Sequence, residues 1–171
     1  MQPAQDSPAV HDARDRAAAR VSAYLYGDVL VLAALIALAP ADLTRAKGVT
    51  YVLGTAVSTF VAHVLADALG LSIRSGHVTR GVLLHEVRDA LPIVSAAVGP
   101  ALLMVPALTG TWSTSLALDL AVAVTVLRLA ALGWVVGRVR GRRPSVRTFA
   151  AGLVLAALGW GAALLKYRLT H

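Results

Sequence analysis

Residues 51–71 read YVLGTAVSTFVAHVLADALGL, and this stretch decides the fold class. A helix that crosses a membrane needs about 20 mostly apolar residues, because each residue adds about 1.5 Å to its length. This stretch meets that length and contains no Lys or Arg. It nevertheless carries His63 and, four residues later, Asp67. Ionisable groups are costly inside a bilayer, so this pair is a candidate functional feature.

Four other segments of the chain have the same apolar character. The whole sequence is 57% hydrophobic and 15% charged, whereas soluble domains carry about 25% charged residues. We therefore predict an all-α bundle of five transmembrane helices. It forms a single membrane domain, residues 21–171, after a polar cytoplasmic tail, residues 1–20. The spans are predicted over 21–40, 49–71, 90–109, 114–137 and 147–167.

The distribution of basic residues predicts the orientation of this bundle. Of the 16 Lys and Arg, eleven fall in the N-terminal tail, in the linker 72–89 and in the loop 138–147. These regions share one side of a five-span chain, and the positive-inside rule places that side in the cytoplasm. The N-terminus is then inside and the C-terminus outside. We expect the basic loops to contact anionic lipid rather than nucleic acid, because they lie at the ends of spans.

For two segments, the sequence fits more than one conformation. In the linker 72–89, apolar residues recur at helical spacing, which fits either an amphipathic helix on the membrane surface or an extension of the third span. The third span contains Pro92, Pro100 and Pro106. Pro92 suits a first helical turn, whereas the other two are expected to kink or break the helix.

Depth along the spans predicts a polar cluster in the cytoplasmic half of the bundle. Counted from the cytoplasmic ends of their spans, Asp28, His63 and Arg128 each lie roughly 12–13 Å deep. Asp67 lies one turn nearer the cytoplasm. The cluster allows two interpretations: charge compensation that stabilises the bundle, or a polar path for protons or ions. We predict an ion or proton channel or transporter, and a non-catalytic scaffold or regulatory partner is the alternative.

A second pair, His85 and Asp89, repeats the spacing of His63 and Asp67. Two imidazoles and two carboxylates can hold a divalent metal ion. These four residues resemble the paired motifs of cation-diffusion-facilitator zinc transporters. That resemblance implies a divalent metal transporter, which we rank below the other two functions. Zinc transporters of that family have six spans, and His85 lies in the linker.

The sequence gives no indication of an enzyme. It has no Gly-x-Ser-x-Gly, no P-loop, no His-Glu-x-x-His and no cysteine, so we predict neither catalysis nor a cofactor. Gly133 and Gly137 form a Gly-x-x-x-Gly motif. This motif suits close helix packing, either within one chain or between the copies of a homo-oligomer.

Three blocks of the sequence are similar to a group of uncharacterised small integral membrane proteins of actinobacteria. The blocks are YLYGDVLVLAAL at 24–35, VLGTAVSTFVAHVLADALG at 52–70 and LLHEVRDALPIVSAAVGPALLM at 83–104. The resemblance implies a multi-pass protein of the bacterial cell (inner) membrane with a histidine in its second span. It implies no particular activity.

Overall fold

The computed structural model describes residues 8–76 and 79–139, together with the single positions Val154 and Ala157. Within these ranges the chain is all-α, as predicted, and no strand occurs. The predicted fifth span, 147–167, lies outside the described residues apart from those two positions. The helices are α1 (Pro8–Ala37), α2 (Lys47–Ser75), α3 (Arg80–Leu108) and α4 (Thr114–Val139), with a short 3₁₀ helix at Pro40–Arg45 between α1 and α2.

Each of these four helices is long and apolar enough to cross a membrane. The candidate spans are Ala17–Ala37, Lys47–Ile73, Arg80–Leu108 and Thr114–Leu132. They correspond to the first four predicted spans. The protein is therefore compatible with a membrane-embedded bundle, whereas the fifth span and the orientation stay predictions. Helix α1 already begins at Pro8, so residues 8–20 of the predicted tail are helical.

The connection between α2 and α3 is a short loop, which settles the conformation of most of the linker. Gly76 adopts φ 74°, and its N–H donates to the carbonyl of Ser72 at 2.9 Å. This left-handed conformation favours glycine and ends a helix. Thr79 then caps α3, because its side chain accepts a hydrogen bond from the N–H of Val82. Residues 80–89 thus belong to the same continuous helix as the predicted third span.

Helix α3 continues through all three of its prolines. Of the kink or break that we expected at Pro100 and Pro106, the break does not occur. A proline removes one N–H from the helix, but neighbouring groups can bind the carbonyl that is left without a donor. For Pro100 such a group is present, on α4.

Helices α1 and α3 form the centre of the described bundle. Each packs against the other and against both α2 and α4, while α2 and α4 make no contact with each other in the described part. The central pair is close: a Cβ at Gly27 would lie 2.8 Å from the Cα of Ile93. Small residues commonly permit such an approach between membrane helices. The surroundings of Gly133 and Gly137 lie outside the description, so a homo-oligomer stays a prediction.

The apolar core and the polar groups occupy different ends of the bundle. We call the end near the 3₁₀ helix the α1–α2 end, and the end near Gly76 the α2–α3 end. The larger core cluster fills the α1–α2 end, with fully buried Leu35, Leu43, Val52 and Met104. A small cluster around Ile93 lies nearer the α2–α3 end. The predicted polar residues lie between these clusters or toward the α2–α3 end.

Candidate functional site

The guanidinium of Arg128 joins three helices in the interior of the bundle. Its Nη1 donates to the carbonyl of Ala96 on α3 at 3.0 Å. Its Nη2 donates to the hydroxyl of Tyr24 on α1 and lies 3.3 Å from Oδ1 of Asp28, also on α1. The guanidinium carbon is 4.9 Å from the centre of the Tyr24 ring, which adds a cation–π contact. One side chain of α4 is thereby bonded to both central helices.

The dipeptide Gly99-Pro100 provides the free carbonyl and the space on α3 that the guanidinium of Arg128 uses. In a regular helix the N–H of residue 100 would donate to the carbonyl of residue 96. Proline has no N–H, so the carbonyl of Ala96 is free to accept from Arg128. A Cβ at Gly99 would lie only 3.3 Å from Nη1 of Arg128. Our sequence reasoning missed Gly99 and treated Pro100 only as a disruption of the helix, although a Gly-Pro pair inside an apolar helix is itself a signal of a carbonyl that needs a donor.

Asp28 is the least satisfied polar group of this interior site. Its side chain is fully buried, and neither carboxyl oxygen has a hydrogen-bond partner among the described residues. The approach of Arg128 Nη2 is an ion pair without hydrogen-bond geometry. Burying a carboxylate without donors costs free energy, which an opposite charge only partly offsets. Asp28 therefore retains the capacity to bind a proton or a small donor.

A second polar group lies at the α2–α3 end, around His63. Its Nε2 is 3.3 Å from Oδ2 of Asp67, and these side chains are 36% and 41% exposed. Both line an open cavity of about 240 Å³, which we call the vestibule. The ring of Tyr26 lies 6.2 Å from the imidazole. Helices α1, α2 and α3 supply the walls of the vestibule: Ala19, Ala23, His63, Asp67, Glu86, Asp89 and Ala90.

Asp89, on the wall of the vestibule, contacts Arg20 on α1 and His85 on α3. Its Oδ1 accepts a hydrogen bond of 2.9 Å from Nε of Arg20. Its Oδ2 lies 3.3 Å from Nε2 of His85, one turn earlier on α3. The Asp89 side chain is largely buried between these partners. This contact holds the beginning of α3 against α1 and fixes the shape of the vestibule on that side.

The structure thus divides the four residues of the predicted cluster into two pairs. Asp28 is paired with Arg128, and His63 is paired with Asp67. No hydrogen bond or ion pair joins one pair to the other in the part of the chain that the structure describes. Depth along the spans placed His63 level with Arg128, but α2 and α4 lie on opposite sides of the central pair. The order of the helices around the bundle therefore separates residues that lie at similar depth.

The four predicted metal ligands are not gathered into a metal site. His63, Asp67 and Asp89 line the vestibule, whereas His85 does not. Across residues 8–76 and 79–139, no group of three or more His, Cys, Asp or Glu is close enough to hold a metal ion. The two His-x-x-x-Asp pairs instead form separate contacts of 3.3 Å within their own helices.

Comparison with known proteins assigns no function to this site. No family model, curated protein or solved structure matches the chain. The similarity to the actinobacterial membrane proteins stays a prediction. Any function therefore has to be inferred from the interior ion pair and from the vestibule.

Proposed function

We propose that the protein moves protons, or another small cation, across a membrane as a channel or transporter. The observation that carries this proposal is the vestibule, where an imidazole and three carboxyl groups line one open cavity among apolar helices. Ionisable groups at membrane depth are costly and usually mark an ion or proton pathway.

The interior ion pair favours protons over metal ions as the cargo. Arg128 stays charged under physiological conditions, so it repels a cation that approaches Asp28. A proton can still bind beside Arg128, because it forms a covalent O–H bond with the carboxyl group of Asp28 and does not remain a free cation. The lack of three clustered metal ligands in the described chain agrees with this preference.

The route that we propose runs from the vestibule to Asp28. Histidine is the side chain suited to exchanging protons near neutral pH, so His63 would take up the proton from water in the vestibule. Ala23, on the vestibule wall, precedes Asp28 by five residues on α1, which corresponds to about 7.5 Å along the helix. Asp28 would accept the proton next, since its carboxyl oxygens have no other donor.

Flux measurements on purified protein in liposomes test this function. A trapped pH-sensitive dye should report proton movement under an imposed pH gradient, and K⁺ and Zn²⁺ should be tested separately. We expect His63→Gln to reduce proton flux to the rate of protein-free liposomes. His85→Gln is the matched control, because it removes the imidazole of the other His-x-x-x-Asp pair, outside the vestibule. Equal flux in wild type and His63→Gln would contradict the proposal.

The second candidate is a non-catalytic scaffold or regulatory partner. The α1–α2 end of the bundle favours this candidate. There the buried side chains of Leu35, Val52 and Met104 pack closely in an apolar cluster. In addition, Arg128 on α4 contacts Ala96 on α3 as well as Tyr24 and Asp28 on α1, and such contacts hold helices together. Absence of flux for all three ions would support this candidate instead.

A further inference from the structure

A second cavity, of about 320 Å³, opens on another side of α3. It is lined by Arg20, Arg88, Leu91, Pro92 and Ser95. None of these residues lines the vestibule. The cavity therefore belongs to a separate surface of the bundle, and neither the interior ion pair nor the proposed proton route uses it.

The polar end of this cavity carries a net positive charge. Arg20 donates through Nε to Asp89 at 2.9 Å, which orients its guanidinium. Its two terminal nitrogens, and the guanidinium of Arg88, have no hydrogen-bond partner in the described part of the chain. The two guanidinium groups and the carboxylate of Asp89 that is bonded to Arg20 leave one positive charge. A single phosphodiester anion complements this charge, and arginine is well suited to bind phosphate oxygens.

The apolar end of the cavity continues down the exposed face of α3. Leu91, Val98 and Leu102 follow Arg88 at helical spacing and are 52%, 46% and 64% exposed. Leu102 lies eleven residues after Leu91, which corresponds to about 16 Å of helix. One leaflet of a bilayer has a hydrocarbon depth of about 15 Å, half of its total thickness. An acyl chain can therefore follow this face while its headgroup lies at the arginines.

We propose that this cavity binds an anionic phospholipid. The phosphate lies between Arg20 and Arg88, Leu91 and Pro92 contact the glycerol region, and the acyl chain follows Val98 and Leu102. The site differs from a diffuse attraction of basic loops to a membrane surface. It is an open cavity lined by particular residues, and Ser95 is the small side chain among them.

Native mass spectrometry of the purified full chain tests the site, with phosphatidylglycerol and phosphatidylcholine as probes. Wild type should retain phosphatidylglycerol in preference to phosphatidylcholine. Arg88→Gln should weaken phosphatidylglycerol binding roughly 10- to 100-fold, as expected for loss of a charge-assisted hydrogen bond. Arg80→Gln, at the same end of α3 but outside the cavity, should change binding less than about twofold, in the range of exposed charges.

A third variant tests the space of the cavity independently of its positive charge. Ser95→Leu fills the cavity and keeps both arginines, so it should also lose phosphatidylglycerol while the helical content by circular dichroism stays unchanged. Three results would overturn the proposal: equal retention of both lipids, equal losses in Arg80→Gln and Arg88→Gln, or full retention by Ser95→Leu. Glycerol 1-phosphate should not displace the lipid at equal concentration. Displacement would identify a site for free phosphate rather than for lipid.

Discussion

Nη1 of Arg128 donates a hydrogen bond of 3.0 Å to the carbonyl of Ala96. This carbonyl is available because Pro100 cannot supply the N–H that would otherwise bind it. The proline therefore creates a polar contact point on α3, and the arginine of α4 occupies it. In a membrane, where water cannot satisfy a free carbonyl, such a pairing replaces a missing helix hydrogen bond with a bond between helices.

Gly99→Ala should test how closely α3 is fitted to Arg128. A Cβ there would lie 3.3 Å from Nη1, so the guanidinium that bonds the Ala96 carbonyl has to shift by a few tenths of an ångström. Gly54→Ala is the matched control, since a Cβ at Gly54 meets nothing within 4 Å. The control should gain about 0.5–1 kcal/mol from the better helix propensity of alanine. Gly99→Ala should gain nothing or lose stability in denaturant unfolding in detergent, and equal gains would contradict the fit.

Arg128→Ala should destabilise the folded bundle strongly. It removes both hydrogen bonds of the guanidinium and leaves Asp28 buried without a counter-ion. Breaking a buried ion pair on one side typically costs about 3–5 kcal/mol. The double variant Asp28→Leu with Arg128→Met should recover much of that loss, because no unpaired charge remains. Thermal unfolding of Asp28→Leu, of Arg128→Met and of the double variant gives the coupling energy, and a coupling near zero would show that the pair is not a unit.

Asp28→Asn should separate the proton route from the stability of the fold. The amide keeps nearly the same shape and can accept a hydrogen bond from Arg128, but it cannot bind and release a proton. Loss of the counter-ion of Arg128 costs stability, but Arg128 keeps its hydrogen bonds to Ala96 and Tyr24, so we expect a folded, inserted protein whose proton flux equals that of protein-free liposomes. Ser58→Ala, on the exposed face of α2, serves as the control and should transport like wild type. Wild-type flux in Asp28→Asn would exclude this carboxyl group from the route.

Reporter fusions should establish the orientation and the number of spans. We expect a reporter after Thr111 and a reporter at the C-terminus both to lie outside the cytoplasm. A cytoplasmic reporter at Thr111 would reverse the predicted orientation. With Thr111 outside, a cytoplasmic C-terminus would show that residues 147–167 do not cross the membrane.

The sequence by itself determined the elements of the described bundle. Length and apolar composition predicted the four helices, because a membrane-spanning segment has to satisfy its own backbone hydrogen bonds. The same reasoning placed Asp28 and Arg128 at a common depth, and the structure pairs them. Gly76 and Thr79 end α2 and begin α3 through local turn and capping chemistry, although our sequence reasoning left this linker open. These features depend on residues that are neighbours along the chain.

Only the tertiary structure decided which side chains meet. Depth made His63 a partner of Arg128, yet α2 and α4 flank the central helices on opposite sides, and His63 faces the vestibule. Likewise, the sequence marked Pro100 as a disruption, whereas Arg128 makes it a binding site on an unbroken helix. The physical reason is that helix formation fixes the rise per residue, and so the depth. The rotation and the order of the helices follow from how their side chains pack against one another.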